Sequence, residues 1–108
     1  MRRGQAVRAT SYRRPGRLIP RRDRSLRAGA VTLRAGGIMP WHSTRSREEL
    51  VIILSGRVRL EICASERRSR RTGLRAGQCA WLPAHTWHRV VNASRRAAHY
   101  LYITAPAR

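Results

Sequence analysis

From Ala28 onward the sequence is a series of short apolar runs, each cut off by turn residues before it reaches helical length. Arg57-Val58-Arg59-Leu60-Glu61-Ile62 alternates strictly and puts Val58, Leu60 and Ile62 on one face, the two-residue period of a half-buried strand. Glu49 to Leu54 is a nearly continuous apolar run that ends at Ser55-Gly56, a turn signal. Ala30-Val31-Thr32-Leu33 precedes the turn pair Gly36-Gly37, Gln78 to Leu82 stops at Pro83, and Trp87 to Val91 follows. Ala98 to Thr104 closes the series with the β-favouring Tyr100, Tyr102 and Ile103. Ser65 to Thr72, dominated by Arg, reads as a polar loop. Short strands at regular spacing with no helical stretch predict an all-β sandwich or barrel.

The chain has 108 residues, the size of one domain. Residues 1–27 differ from the rest: they hold ten Arg and one acid, Asp23, with Pro15, Gly16 and Pro20 and no sustained apolar period. Such a segment buries too little apolar surface to offset its ordering entropy, so it is expected to be a flexible basic arm, with Arg17-Leu18-Ile19-Pro20 docking on the barrel domain of residues 28–108. An organelle transit peptide or an over-extended gene start would have the same composition. All 24 basic residues are Arg, against five acids, a net charge of +19. That balance favours polyanions, although the complete absence of Lys also fits a GC-rich coding sequence. No apolar run approaches the roughly 20 residues that span a bilayer, and no apolar stretch follows the basic N-terminus. Cys63 and Cys79 form no CxxC pair and read as small apolar strand residues, which makes a reducing cytoplasm the expected compartment.

Three of the four His residues, His42, His85 and His88, lie in two short segments rich in Pro, Trp and Gly. Glu48 and Glu49 open the most apolar strand, where a buried carboxylate is costly unless paired or bound to a cation. By parity Glu49 shares a face with Val51 and Ile53, His88 with Val90, and His42 with Thr44. Glu48 points the other way, toward solvent and a neighbouring Arg. Two imidazoles and a carboxylate suit a divalent transition metal (Fe, Mn, Ni or Zn) and leave coordination positions open.

Here the chain resembles the cupin family. The first cupin motif runs Gly, five residues, His-x-His, three or four residues, Glu, six residues, Gly, and is matched by Gly36, His42-Ser43-Thr44, Glu49 and Gly56. The second runs Gly, five residues, Pro-x-Gly, two residues, His, three residues, Asn, and is matched by Gly77, Pro83-Ala84-His85, His88 and Asn92. Residues 57–76 between them have the length of the family's short inter-motif hairpin. Two positions depart from the pattern: Thr44 stands where the second His is expected, and His85 where Gly is expected.

The resemblance implies a double-stranded β-helix, or jelly-roll, barrel of six to eight strands, with His42, Glu49 and His88 as metal ligands and Thr44 at a degenerate fourth position. His85 would then replace the missing ligand, act as a general acid or base, or cap its loop. Trp41, Trp81 and Trp87 would pack the barrel rim or wall a pocket. The implied function is a metal-dependent dioxygenase or isomerase/epimerase acting on a small organic acid or sugar. The alternative is a non-catalytic cupin that binds or senses a small molecule. A nucleic-acid-associated protein acting through the basic arm is the third reading. Small cupins often pair, so a homodimer that covers an edge strand is expected.

Overall fold

The computed structural model describes residues 7–19, 25–65 and 67–108. Nine strands form the described chain: β1 (Gly16–Arg17), β2 (Arg27–Leu33), β3 (Ile38–Ser43), β4 (Arg47–Ser55), β5 (Arg57–Ser65), β6 (Arg68–Arg75), β7 (Cys79–Leu82), β8 (Trp87–Val91) and β9 (Ala98–Pro106). They make two antiparallel sheets, a five-stranded one in the order β1-β2-β9-β4-β7 and a four-stranded one in the order β3-β8-β5-β6. This is the all-β architecture that the strand pattern predicts and the jelly-roll barrel that the family resemblance implies, with nine strands rather than six to eight because the two-residue β1 and the Arg-rich β6 also pair. Among the described residues no helix is long and apolar enough to cross a membrane.

The core lies between the sheets and is built from alternate residues of each strand. Val51 and Ile53 of β4, Val58 and Leu60 of β5, Leu82 of β7 and Val90 of β8 are all buried. Burying each such side chain contributes roughly 1.5–3 kcal/mol. Leu33, Leu74, Ala98 and Tyr100 complete the cluster. Gly56 makes the turn between β4 and β5 at a φ of +74°, and a Cβ there would meet the Ala97 carbonyl oxygen at 2.7 Å. Only glycine fits that corner.

Two expectations are corrected. The polar loop expected at Ser65–Thr72 is mostly strand: β6 pairs with β5 from Arg57↔Arg75 to Ser65↔Arg68. Six of its first seven side chains are exposed, because β6 is an edge strand and long Arg side chains reach water from either face. Cys63 and Cys79 do lie in strands, β5 and β7, but Cys79 is exposed and Cys63 only half-buried, and both are free. Of the segment expected to form the arm, residues 1–6 and 20–24 lie outside the described residues, Pro20 among them. Within the rest, Gly16 and Arg17 pair with Ala30 and Gly29, and the Leu18 N–H donates to the Ala28 carbonyl at 2.8 Å.

Glu61 sits on the outer side of β5 yet is only 3% exposed, because Arg59 and Arg89 close over it. Arg59 Nε donates to one carboxylate oxygen at 2.7 Å, and Arg89 Nη2 donates to the other at 2.9 Å. The Arg59 hydrogen bond leads in holding the Glu61 carboxyl below its usual range. Burial opposes it, and Arg89 reinforces it. A depressed folded-state pKa gives stability that is present above the ordinary glutamate value, about 4.3, and is lost as pH falls through the folded value. Urea unfolding of the wild type should therefore weaken steeply on acidification below pH 4. Glu61→Gln should lose that part of the slope, and an unchanged slope in the variant would refute the assignment.

Candidate metal centre

The three candidate ligands come from both sheets. His42 near the end of β3 and His88 near the start of β8 are direct cross-strand partners in the four-stranded sheet. Glu49 near the start of β4 faces them from the five-stranded sheet, opposite Thr104 and Leu82. One potential donor atom from each lies within 4.8 Å of the other two, and the His88 Nε2 is 3.8 Å from a Glu49 carboxylate oxygen. The two imidazole centroids are 4.2 Å apart, with the rings tilted by 55°.

A one-residue bulge aims His42 inward. Between the pairs Met39↔Val90 and His42↔His88, β3 carries Pro40 and Trp41 against the single residue Arg89 of β8. Met39 and His42 are three apart and would face opposite sides of a regular strand, yet both line the cavity. Pro40 is tolerated because β3 is an edge strand, and its ring removes a donor the bulge does not need. Its carbonyl meets His42 Nδ1 at 2.7 Å. His88 Nδ1 meets the Thr86 carbonyl at 2.9 Å in the same way. A carbonyl can only accept, so Nδ1 carries a hydrogen in both rings, and in the neutral form of each Nε2 presents a lone pair. Among the described residues, His88 Nε2 is the buried side-chain polar atom left with no hydrogen-bond partner. Burial works against protonation of His88, but the Glu49 carboxylate and the Thr86 carbonyl outweigh it and raise the pKa above the ordinary imidazole value.

This donor set fits a divalent transition metal. Nitrogen and carboxylate oxygen ligands bind Zn and its neighbours at about 2.0–2.2 Å, so two donors on one ion lie up to roughly 4.4 Å apart. Backbone bonds to Nδ1 are the usual device for orienting a ligating imidazole.

Thr44 is buried beside them, but its hydroxyl is engaged elsewhere. Oγ1 donates to the Pro83 carbonyl at 2.9 Å and accepts the Thr86 N–H at 2.9 Å. The hydroxyl hydrogen is thus spent on joining the β3–β4 loop to the β7–β8 loop. His85 is not brought into the site: it is exposed and does not line the cavity. It takes the left-handed conformation (φ +59°) that the family's Gly would supply, and its N–H donates to the Arg45 carbonyl at 2.7 Å. Of its three expected roles, the geometry fits capping the loop. The tryptophans also face outward. None lines the cavity: Trp41 lies under the Arg89 guanidinium at 5.0 Å, while Trp81 and Trp87 are exposed. Glu48 does point away from Glu49, but its partner is the Trp81 indole, which donates to it at 2.9 Å, rather than an Arg.

The centre opens into a cavity of about 690 Å³, walled on the apolar side by Val31, Met39 and Val90. Tyr100 and Tyr102 line it from β9, the latter lying flat over Gly29, where any Cβ would collide with the ring. Burial, then the negative charge of Glu49, pushes the Tyr100 phenol far above its usual range, so it stays a neutral donor. Four arginines, Arg17, Arg27, Arg45 and Arg47, border the same space. Arg47 is anchored by Nε to the Thr104 hydroxyl at 2.9 Å, and burial together with the nearby charge of Arg27 lowers its proton affinity. Neither the Arg cluster nor the tyrosines carried a motif, and only the parity of β9 would have pointed Tyr100 inward.

The sequence model of the Cupin domain family matches residues 29–104. No curated protein matches by sequence. Among solved structures, the cupin domain of Schizosaccharomyces pombe Cnp3 superposes with a TM-score of 0.73 at 18% identity, covering 86% of this chain and 64% of that one. An oxalate oxidase gives 0.70 at 19% identity, covering 76% and 42%, respectively. Oxalate decarboxylase from Bacillus subtilis gives 0.70 at 23%, covering 76% of this chain and 22% of that one. The chain thus spans less than two thirds of each of these proteins, and at such identities the likeness is one of fold.

Proposed function

The chain belongs to the cupin family, and from that premise we propose that it holds a divalent metal through His42, Glu49 and His88 and takes a small organic acid into the barrel beside it. One observation carries this reading: two imidazoles, each locked by Nδ1 to a backbone carbonyl, turn their Nε2 atoms toward one carboxylate, and the buried His88 Nε2 has no partner within the protein. Leaving a buried nitrogen unsatisfied costs about 1–3 kcal/mol, which a ligated cation would recover.

A bound ion would supply Lewis acidity toward an oxygen of the acid. The remaining work falls to the chain. Arg45 and Arg47 at the cavity border attract and orient a carboxylate, Arg47 with its fork already fixed by Thr104. Tyr100 offers a neutral O–H to a substrate oxygen, and Val31, Met39 and Val90 keep water from the apolar side. An oxalate oxidase of the same fold has been captured with the substrate analogue glycolate, which makes oxalate and glycolate the natural first probes.

Elemental analysis of purified protein tests the metal. The wild type should carry Mn, Fe, Ni or Zn, and Glu49→Gln and His42→Ala should each lower occupancy by at least about tenfold. Calorimetric titration of the loaded protein with oxalate and glycolate tests the acid. A wild type that takes up none of these metals would exclude the reading. A second reading, a non-catalytic binder with a weak site, is favoured by the commitment of Thr44 to its loop, which leaves three protein ligands. It predicts acid binding that is unaffected by Glu49→Gln.

A further inference from the structure

The end of the barrel opposite the metal centre carries a second concavity, of about 630 Å³. Glu49 lies near the start of β4 and Gly56 just beyond its end, so seven strand residues, roughly 23 Å, separate the two sites. Arg57, Arg75, Arg95 and Arg96 line this pocket, with the small residues Gly56 and Ala93 between them and no carboxylate. All four arginines are exposed, and among the described residues none of their guanidinium groups makes a hydrogen bond or ion pair. Among the described residues the acidic side chains are engaged elsewhere: Glu48 by Trp81, Glu61 by Arg59 and Arg89, and Glu49 in the cavity.

Arg57 and Arg75 are direct cross-strand partners. Like charges placed opposite each other destabilise a strand pair, and among the described residues no carboxylate pairs with either guanidinium. The backbone that carries the four is fixed. The Ala76 N–H donates to the Gly56 carbonyl at 3.1 Å and joins the two turns that flank Arg57 and Arg75. The Arg96 carbonyl accepts from Asn92 Nδ2 at 2.8 Å and from Ser94 Oγ at 3.0 Å, and Asn92 is completely buried. Four exposed cationic forks, carried on a fixed backbone around a small-residue floor, are placed to close together on an anion with several oxygens. Guanidinium pairs with phosphate oxygens bidentately, and a phosphate group offers enough oxygens to engage more than two forks.

We propose that Arg57, Arg75, Arg95 and Arg96 form a phosphate-binding site at the end of the barrel opposite the metal centre. The phosphate comes either from a nucleic-acid backbone or from a small polyphosphate. The site does not depend on residues 1–27 or on the metal.

Inorganic pyrophosphate and a short DNA duplex serve as the two probes, each titrated into the full chain over a salt series. Arg95→Ser/Arg96→Ser and Arg57→Ser/Arg75→Ser should each lower the affinity for the bound probe by about tenfold or more. Arg13→Ser/Arg14→Ser, which removes the same charge from an exposed segment, should change it by less than about twofold. Arg57→Ser/Arg75→Ser should also keep or raise the urea midpoint, since it relieves a repulsion, so its loss of binding is not a loss of fold. A pocket-specific loss with pyrophosphate assigns a small polyphosphate, and one seen with the duplex alone assigns nucleic acid. Equal losses in all three double variants, or binding of neither probe, overturns the proposal.

Discussion

Replacing His88 with leucine should stabilise the metal-free protein by about 1 kcal/mol while abolishing the metal binding proposed above. His88 is fully buried and its Nε2 makes no hydrogen bond, the Glu49 carboxylate lying 3.8 Å away, so the neutral imidazole of the metal-free protein carries most of the desolvation cost of that nitrogen without return. The one hydrogen bond that leucine would remove is that of Nδ1 to the Thr86 carbonyl, and this carbonyl still accepts the Thr44 N–H at 3.1 Å. Leucine packs against Val90 and Met39 in the same space. The opposite signs distinguish a ligand from a structural histidine, which would lose stability on the same change. Urea unfolding in the presence of a chelator, set beside elemental analysis, reads both. A loss of more than about 1 kcal/mol in the chelated variant would contradict the proposal that Nε2 is a metal ligand.

Asn92→Asp should destabilise the fold by about 3–5 kcal/mol. The side-chain amide donates to the carbonyls of Leu33, Arg34 and Arg96 at 2.9, 3.1 and 2.8 Å. Its oxygen accepts from the N–H and hydroxyl of Ser94 at 3.0 and 2.7 Å. Three acceptors around one end and two donors around the other fix which end is nitrogen. Aspartate would turn a carboxylate oxygen toward three carbonyls in a site with no exposure to water. Denaturation midpoints measure the loss, and a decrease below about 1 kcal/mol would show that the loops can rearrange around the charge. Because Asn92 also fixes Arg96, the same variant should weaken phosphate binding under conditions where it stays folded.

Most of the barrel was legible because its strands bury one face. Val58, Leu60 and Ile62 alternate in the sequence, and they turn inward in the structure, two buried and the third packed against the core. The same logic placed Glu49 with Val51 and Ile53. It failed where burial does not discriminate. β6 lies at an edge with water on both sides, so its arginines carried no period and read as loop. Parity alone also misplaces one side of the β3 bulge, since Met39 and His42 both face inward across it. Pro40, in a strand rich in site residues, was the available signal. The outward turn of the tryptophans had none, because an aromatic ring serves a rim, a core or a cation equally well. Asn92 was visible as the last position of a motif, but its five hydrogen bonds join segments almost 60 residues apart, which no local pattern reveals.

The two positions at which this chain leaves the cupin pattern are not independent. Thr44 belongs to the loop that follows β3 and His85 to the loop before β8, and these loops are bonded to each other by the Thr44 N–H to Thr86, the Thr86 N–H to the Thr44 hydroxyl, and the His85 N–H to Arg45. Among the described residues, Arg45 and His85 are also the two non-glycine residues held at positive φ, so the strain of the mouth is concentrated on the same seam. A histidine placed at position 44 would therefore cut this clasp, because the hydroxyl that joins the two loops would be gone. A change at either position is thereby a change of two loops together, and the hydroxyl at position 44 holds the mouth of the barrel fixed.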